Sequence, residues 1–293
     1  MIEHFPSIYI MATQPPDPAV PDPDSSQPDN LGNTLPTIDS QISHDQQLTY
    51  WTSQSADVNG MLGGYPQVSR IDLQGSKTFI AKIRRLSRIA GEAPSPTISK
   101  NGKAPASVKG GANTKVRIAV DCGAGIGRIT TGLLLNIAEE VDVVEPVKKF
   151  TDVLAQAKTG PEQGKIGQLY NVGLESWSPP PDRKYDLVWN QWCLGHLTDK
   201  QVVDYLRRVS RSLAGSNTND QNQQEGWIMV KENLSTDQYG EDIFDDADSS
   251  ITRSDQKFQL LFEEAGLKIV KMETQTGFPK SLFPVKMYAL RPK

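Results

Sequence analysis

One segment constrains the fold more than any other. From Val116 to Thr131 the chain reads VRIAVDCGAGIGRITT: a β-branched run leads to Asp121, glycines follow at 123, 125 and 127, and a helical pattern begins behind them. A strand that turns tightly into a helix is the opening of a βαβ unit, and such units build a mostly parallel sheet. Glycine lets backbone approach a ligand closely, and a helix start offers unpaired N–H groups to polar or anionic atoms. Glu145, 24 residues past Asp121, closes the next apolar run. A carboxylate there is placed to accept hydrogen bonds from the two hydroxyls of an adenosine ribose.

The rest of the chain continues that alternation. Short apolar runs predict seven strands, at Val116 to Val120, Val141 to Glu145, Gln168 to Val172, Asp186 to Asn190, Trp227 to Lys231, Leu267 to Met272 and Val285 to Leu290. Apolar residues at helical spacing mark helices through Ile129, Leu133 and Ile137, through Val202, Leu206, Val209 and Leu213, and through Phe258, Leu261, Phe262 and Ala265. Upstream, Phe79, Ile80, Ile83 and Leu86 share one helix face while Lys77, Lys82, Arg84, Arg85 and Arg88 form its solvated face. The expected fold is α/β: a seven-stranded, mostly parallel, doubly wound, Rossmann-like sheet with an N-terminal helical extension.

The ends and insertions read differently. Residues 1–45 are rich in proline and lack periodicity, so a disordered Pro/Asp-rich tail is expected ahead of one domain over 46–293. Within it, 46–92 is expected to be a helical and lid segment, and 93–114 and 215–225 flexible insertions, because they are rich in Pro, Gly, Ser or Asn. Asn59-Gly60 and Gly63-Gly64 bracket Met61 and Leu62, a pattern that fits a hinged lid or a plain double turn.

Charge and cysteine usage narrow the function. A net charge of -4 with no large Lys/Arg cluster removes the electrostatic footprint of a duplex binder, so no nucleic-acid partner is expected. There is no apolar run of about 20 residues, so no membrane span is expected. Two cysteines, Cys122 and Cys193, make neither a disulfide framework nor a zinc site, and three histidines add little; no metal is expected and a reducing, cytoplasmic location is the default.

The glycine spacing separates two cofactors. Dinucleotide sites use G-x-G-x-x-G, whereas this turn is Asp121-x-Gly123-x-Gly125-x-Gly127. That form resembles motif I of the class I S-adenosylmethionine-dependent methyltransferases. Four further motifs lie at VNGMLGGY (58–65), WNQWCLGHLTD (189–199), VKEN (230–233) and DDADSS (245–250). Together, from about Tyr50 to Arg291, they resemble the α-N-terminal protein methyltransferases, which methylate the terminal amine of proteins beginning Xaa-Pro-Lys or Xaa-Pro-Arg once the initiator Met is removed.

The resemblance implies S-adenosyl-L-methionine as cofactor, held by Gly123, Gly125, Arg128, Glu145, Pro146, Leu174, Glu175 and Gln191. It implies substrate contacts at Trp51, Trp192, Asp245 and Ser250, and proton acceptance and orientation of the amine by Asp248, His196 and Asn233. It also implies protein N-termini as partners, ribosomal proteins among them, and a monomer in the cytoplasm and the nucleus. Three positions depart from the family pattern: Glu145 stands where Asp is usual, Glu175 where Gln is usual, and Phe283 where relatives carry Tyr. Asp237 to Asp248 holds six acidic residues and no basic one, which as a surface patch would attract a terminal ammonium and a cationic third side chain. Other readings stay open on the residues alone: a small-molecule methyltransferase of the same fold, a cofactor-binding regulatory module without turnover and, more remotely, a nicotinamide dehydrogenase.

Overall fold

All seven expected strands form, and all lie in one sheet. The structure, a computed structural model, describes residues 37–91, 116–157, 164–215 and 226–293. In chain order the strands are β1 (Val116–Cys122), β2 (Ala138–Val144), β3 (Ile166–Tyr170), β4 (Leu187–Gln191), β5 (Trp227–Asn233), β6 (Ile243–Asp245), β7 (Ser250–Thr252), β8 (Leu267–Thr274) and β9 (Val285–Pro292). The main sheet runs β3-β2-β1-β4-β5-β9-β8, parallel from β3 to β5, with β9 antiparallel to both its neighbours. β6 and β7 form a separate antiparallel hairpin.

The two faces of this sheet are buried by the period-2 alternation of its strands. Val120, Cys122, Val188, Ile228 and Val230 pack on one side, against Val202, Leu206 and Val209 of α6 (Asp199–Arg211) and Phe258, Leu261 and Phe262 of α7 (Asp255–Glu264). Ala119, Leu187, Trp189 and Met229 pack on the other, against Leu133 and Leu134, Leu154 of α5 (Lys148–Ala157), and Phe79, Ile80 and Ile83 of α3 (Ser69–Gly91). Strands covered on both faces need near-continuous apolar runs, as β1, β4 and β5 have. β8, at the edge, alternates half-buried and exposed residues after the buried Leu267.

One helical expectation is corrected. Behind the glycine turn the helix is not regular: a π turn (Thr130–Leu134) runs into the short α4 (Leu135–Ile137). The wider turn carries an extra residue, so Leu133, Leu134 and Leu135 are all buried, while Ile137 stays half-buried against the same cluster. It lies where α3 comes close, since a Cβ on Gly132 would sit 2.8 Å from Leu73 Cδ1.

The tail boundary also moves. Residues 37–45 are described: a 3-10 turn (Ile38–Gln41) leads to Ser43, whose hydroxyl caps α1 (His44–Ser53) by accepting the Gln46 N–H. Residues 1–36, the expected insertion 93–114, and all of 215–225 except Gly215 lie outside the described residues. The expected lid is α2 (Val58–Met61) and the turn after it, with Leu62 fully buried.

Leu206, fully buried between α6 and the sheet, tests this packing. Leu206→Ala should lower unfolding free energy by about 2–5 kcal/mol in a urea titration.

Candidate functional site

The chain leaves β1 toward β2 and β3 on one side and returns to β4 and β5 on the other. This reversal opens a crevice beyond the carboxyl ends of β1 and β4, where ligands bind in open α/β sheets. A cavity of about 410 Å³ lies there. It is lined by all eight expected cofactor residues, Gly123, Gly125, Arg128, Glu145, Pro146, Leu174, Glu175 and Gln191, together with Trp51, Trp192 and His196. Its volume falls within the usual range for a small-molecule site.

The glycine turn is shaped by backbone geometry. Gly123, Gly125 and Gly127 all have positive φ, at 67°, 55° and 79°. Gly123 and Ala124 donate their N–H groups to the Val144 carbonyl, which fixes the turn to the end of β2. Behind it, Thr130 donates its hydroxyl to Asp121 Oδ2 (2.6 Å).

Glu145 follows immediately after β2. Its carboxylate accepts the N–H groups of Gly125 and Val147, each at 2.8 Å. Burial nevertheless outweighs those two bonds and pushes its pKa up to about 7. The wall therefore offers the Arg128 guanidinium, the Glu145 carboxylate, the Gln191 amide and apolar surface from Val172, Leu174 and Phe150. This donor set fits a ligand with a carboxylate, a ribose diol and an adenine ring.

Arg128 and Gln191 are braced from behind by a residue that the sequence reading missed. Asp72, in the first turn of α3 and fully buried, receives Arg128 Nη1 at 2.6 Å and the Gln191 amide nitrogen at 2.9 Å. The buried Lys231 ammonium reaches the same carboxylate at 2.5 Å. Burial raises the Asp72 pKa, but the Arg128 and Lys231 charges outweigh it, and the net shift is downward.

The segment after β4 forms the other half of the site. Trp192 has φ 53°, a left-handed conformation that is rare for a bulky side chain and costs about 1–3 kcal/mol. Backbone bonds to β5 hold it: Trp192 N–H donates to the Lys231 carbonyl at 3.0 Å, and Cys193 and Leu194 donate to Glu232 Oε1, both at 2.9 Å. The Arg128 guanidinium lies over the Trp192 ring, 5.4 Å from its centroid. Arg253, fully buried just beyond β7, donates to the carbonyls of Leu194 and Leu197 and pairs with Asp199 at 2.8 Å.

These bonds bring the 190s segment and the β6–β7 hairpin together. α1 then covers both: Gln47 donates to the carbonyls of His196 (3.0 Å) and Ser249 (2.7 Å). Trp51 meets the His196 ring edge-on at 5.9 Å. His196 Nδ1 is buried with no hydrogen-bond partner among the described residues. Burial lowers the His196 pKa; the Asp248 charge pulls it back and His44 pushes it further down. Its imidazole is therefore neutral at pH 7, next to a carboxylate.

The remaining expected residues border this region without lining the cavity. Asn233 ends β5 opposite Val285, Asp245 ends β6 opposite Ser250, which opens β7, and Asp248 lies in the turn between them. The acidic stretch is corrected: it is not a surface patch throughout, since Asp245 and Asp248 are buried and the hairpin folds them inward. Phe283 is buried as well. Besides Asp72, sequence reading missed Tyr50, Gln47, Lys231 and Glu232. Burial, followed by the charges of Asp248 and Asp245, raises the Tyr50 pKa. Lys231 and Glu232 lie within VKEN, where a charged pair in a strand buried on both faces was the available signal.

Comparison with known proteins adds to this geometry. Residues 39–291 match the family model described as AdoMet dependent proline di-methyltransferase. A protein of Schizosaccharomyces pombe named "Alpha N-terminal protein methyltransferase 1" is 38% identical over 259 residues, 87% of this chain and 99% of its own length. One of Xenopus tropicalis named "N-terminal Xaa-Pro-Lys N-methyltransferase 1" is 37% identical, over 83% of this chain and 92% of its own. Among solved structures, a SAM-dependent methyltransferase of Leishmania major superposes with a TM-score of 0.65 at 33% identity, covering 84% of this chain and 82% of that one.

Glu145 makes the cofactor half testable. Ribose hydroxyls donate to a carboxylate, and Glu145 ionises near pH 7, so affinity for S-adenosylhomocysteine should rise roughly three- to tenfold from pH 6 to pH 8. Glu145→Gln should bind more weakly and show a flat profile; calorimetry across this range checks both.

Proposed function

The chain belongs to the AdoMet-dependent proline di-methyltransferase family, and from that premise we propose that it methylates the α-amino group of proteins beginning Xaa-Pro-Lys or Xaa-Pro-Arg after loss of the initiator Met. It is a methyltransferase that uses S-adenosyl-L-methionine. One observation carries the substrate reading: a buried, neutral imidazole at the cavity wall, His196, lies in the field of Asp248 and beside Trp51 and Trp192. A small-molecule substrate is the weaker reading, because relatives matched along most of their length are named for protein N-termini.

Bound in the crevice, the cofactor supplies a methyl group on a sulfonium. Methylation needs the amine in its neutral form, so the protein's task is to take one proton and hold the nitrogen in line. An α-amine has a pKa of about 7.7–8.0, so neutrality at pH 7 costs about 1–1.4 kcal/mol, against nearly 5 for a lysine side chain. Alignment is the larger effect, worth up to about 7–11 kcal/mol. In this reading, Asp248 and His196 accept the proton and Asn233 orients the amine. Trp192, in a cluster with Leu62, Val68 and Leu282, walls a slot for the proline, whose missing N–H leaves no donor unpaired there. Asp245 and Ser250 then meet the residues that follow.

Ribosomal proteins are proposed as substrates and the monomer as the working unit. A cytoplasmic and nuclear location is proposed with them.

Mass spectrometry of a Ser-Pro-Lys peptide incubated with enzyme and isotopically labelled cofactor should show methyl groups on the α-nitrogen. Methylation of free amino acids instead, or of a Ser-Glu-Lys peptide equally well, would overturn the substrate reading. Asp248→Asn should lower kcat by roughly 10²-fold or more while peptide KM changes little; wild-type turnover would remove its proton-accepting role.

A further inference from the structure

Behind the cavity wall lies a cluster of two cations and one carboxylate whose purpose the reaction alone does not explain. Asp72 is shared by Arg128 (2.6 Å), Lys231 (2.5 Å) and the Gln191 amide (2.9 and 3.0 Å). Lys231 further donates to the Asp72 carbonyl, Ser76 Oγ and Gln275 Oε1 at 3.1, 3.0 and 2.8 Å. The Gln191 amide is oriented from its other end, where its oxygen accepts the Trp189 indole N–H at 3.2 Å. Of these residues only Arg128 and Gln191 line the cavity.

Burying charge in this way is expensive, and a neutral Arg128–Asp72 pair would be the cheaper solution. Such a pair would also be a weaker receptor for an anion, because the Asp72 charge would offset part of the attraction of Arg128 for a second carboxylate. Lys231 changes that balance. Arg128 and Lys231 together contribute two positive charges against one on Asp72, so the cluster carries one net positive charge, and a ligand carboxylate brings it to zero. One guanidinium nitrogen is committed to Asp72, and Arg128 has five N–H donors in a rigid fork, so the commitment fixes its orientation without exhausting its donors.

We propose that Asp72 and Lys231 are positioning residues for the cofactor's methionine carboxylate: Asp72 aims Arg128 and Gln191 into the cavity, and Lys231 cancels the Asp72 charge so that Arg128 acts as an unneutralised cation. The inference rests on the reading that Arg128 addresses that carboxylate. It also gives α3, outside the sheet, an indirect part in cofactor recognition, through a residue in its first turn.

The test uses calorimetry on the full chain with two ligands, S-adenosylhomocysteine and 5′-methylthioadenosine, which lacks the amino-acid end. Lys231→Met should weaken S-adenosylhomocysteine at least tenfold while changing methylthioadenosine less than threefold. Adding Asp72→Asn to Lys231→Met restores the net charge and should recover at least threefold of the lost affinity. A purely structural role predicts instead that both ligands weaken together and that the double variant is no better than the single one; either result overturns the proposal. Asp72→Glu, which keeps the charge and the pairing but lengthens the side chain by one methylene, tests the aiming role should Lys231→Met fail to fold. It should cost S-adenosylhomocysteine at least fivefold and spare methylthioadenosine, and equal affinities would refute it. Arg128→Met separates this inference from the reading beneath it. If Arg128→Met retains the preference for S-adenosylhomocysteine, the reading fails; if Arg128→Met loses it while Lys231→Met and Asp72→Glu keep it, only the present inference fails.

Discussion

Everything in the site hangs from the reversal of strand order between β1 and β4. Parallel strands end on the same edge, so the carboxyl ends of β1, β2, β4 and β5 deliver Gly123, Glu145, Gln191 and Asn233 to one rim. Had the chain continued outward in one direction, no crevice would open and these residues would lie along an edge covered by connections. The reversal costs nothing in packing, because both sheet faces remain buried by α3, α5, α6 and α7.

Around that rim the structure concentrates charge and strain that a core of this size would otherwise avoid. Glu145 and Glu232 are buried carboxylates, each accepting two backbone N–H groups and each pushed up to about 7 by burial. Glu232 holds the turn that carries Trp192 in its left-handed conformation, and Glu145 ties the glycine turn to the start of α5. The two acids thus do equivalent structural work on the two halves of the site: each clamps a loop to the end of a strand by accepting two backbone N–H groups, Glu145 through both oxygens and Glu232 through Oε1 alone. Bonds to charged groups are stronger than neutral ones, which is what keeps a strained loop from relaxing.

The hairpin β6–β7 and the helix α1 close the substrate half by a different means. Arg253 reaches under the hairpin to the 190s carbonyls, and Gln47 reaches over it to His196 and Ser249. The proposed catalytic centre at residues 196, 233 and 248 is braced by these two side chains, neither of which is assigned a part in the proton transfer. Their loss would separate the proposed acceptors from the nitrogen they serve.

Some of this was legible without any coordinates. The glycine turn, the acid at the end of the second strand and the seven strands follow from turn chemistry and from apolar periods of 2 and 3.6, and these are properties of neighbours in sequence. The eight cofactor residues were identified by spacing and resemblance, and all eight line one cavity. What sequence could not show is which distant groups would meet. The pairing of Asp72 with Arg128 and Lys231 joins positions 56 and 159 residues apart, and the π turn, the inward fold of Asp245 and Asp248 and the positive φ of Trp192 are imposed by contacts between elements. Local chemistry determined which elements would form and where a cofactor would sit; only the packing of α1, α3 and the hairpin on the sheet decided which charges were buried together, because the energy of a buried charge is set by its neighbours in space.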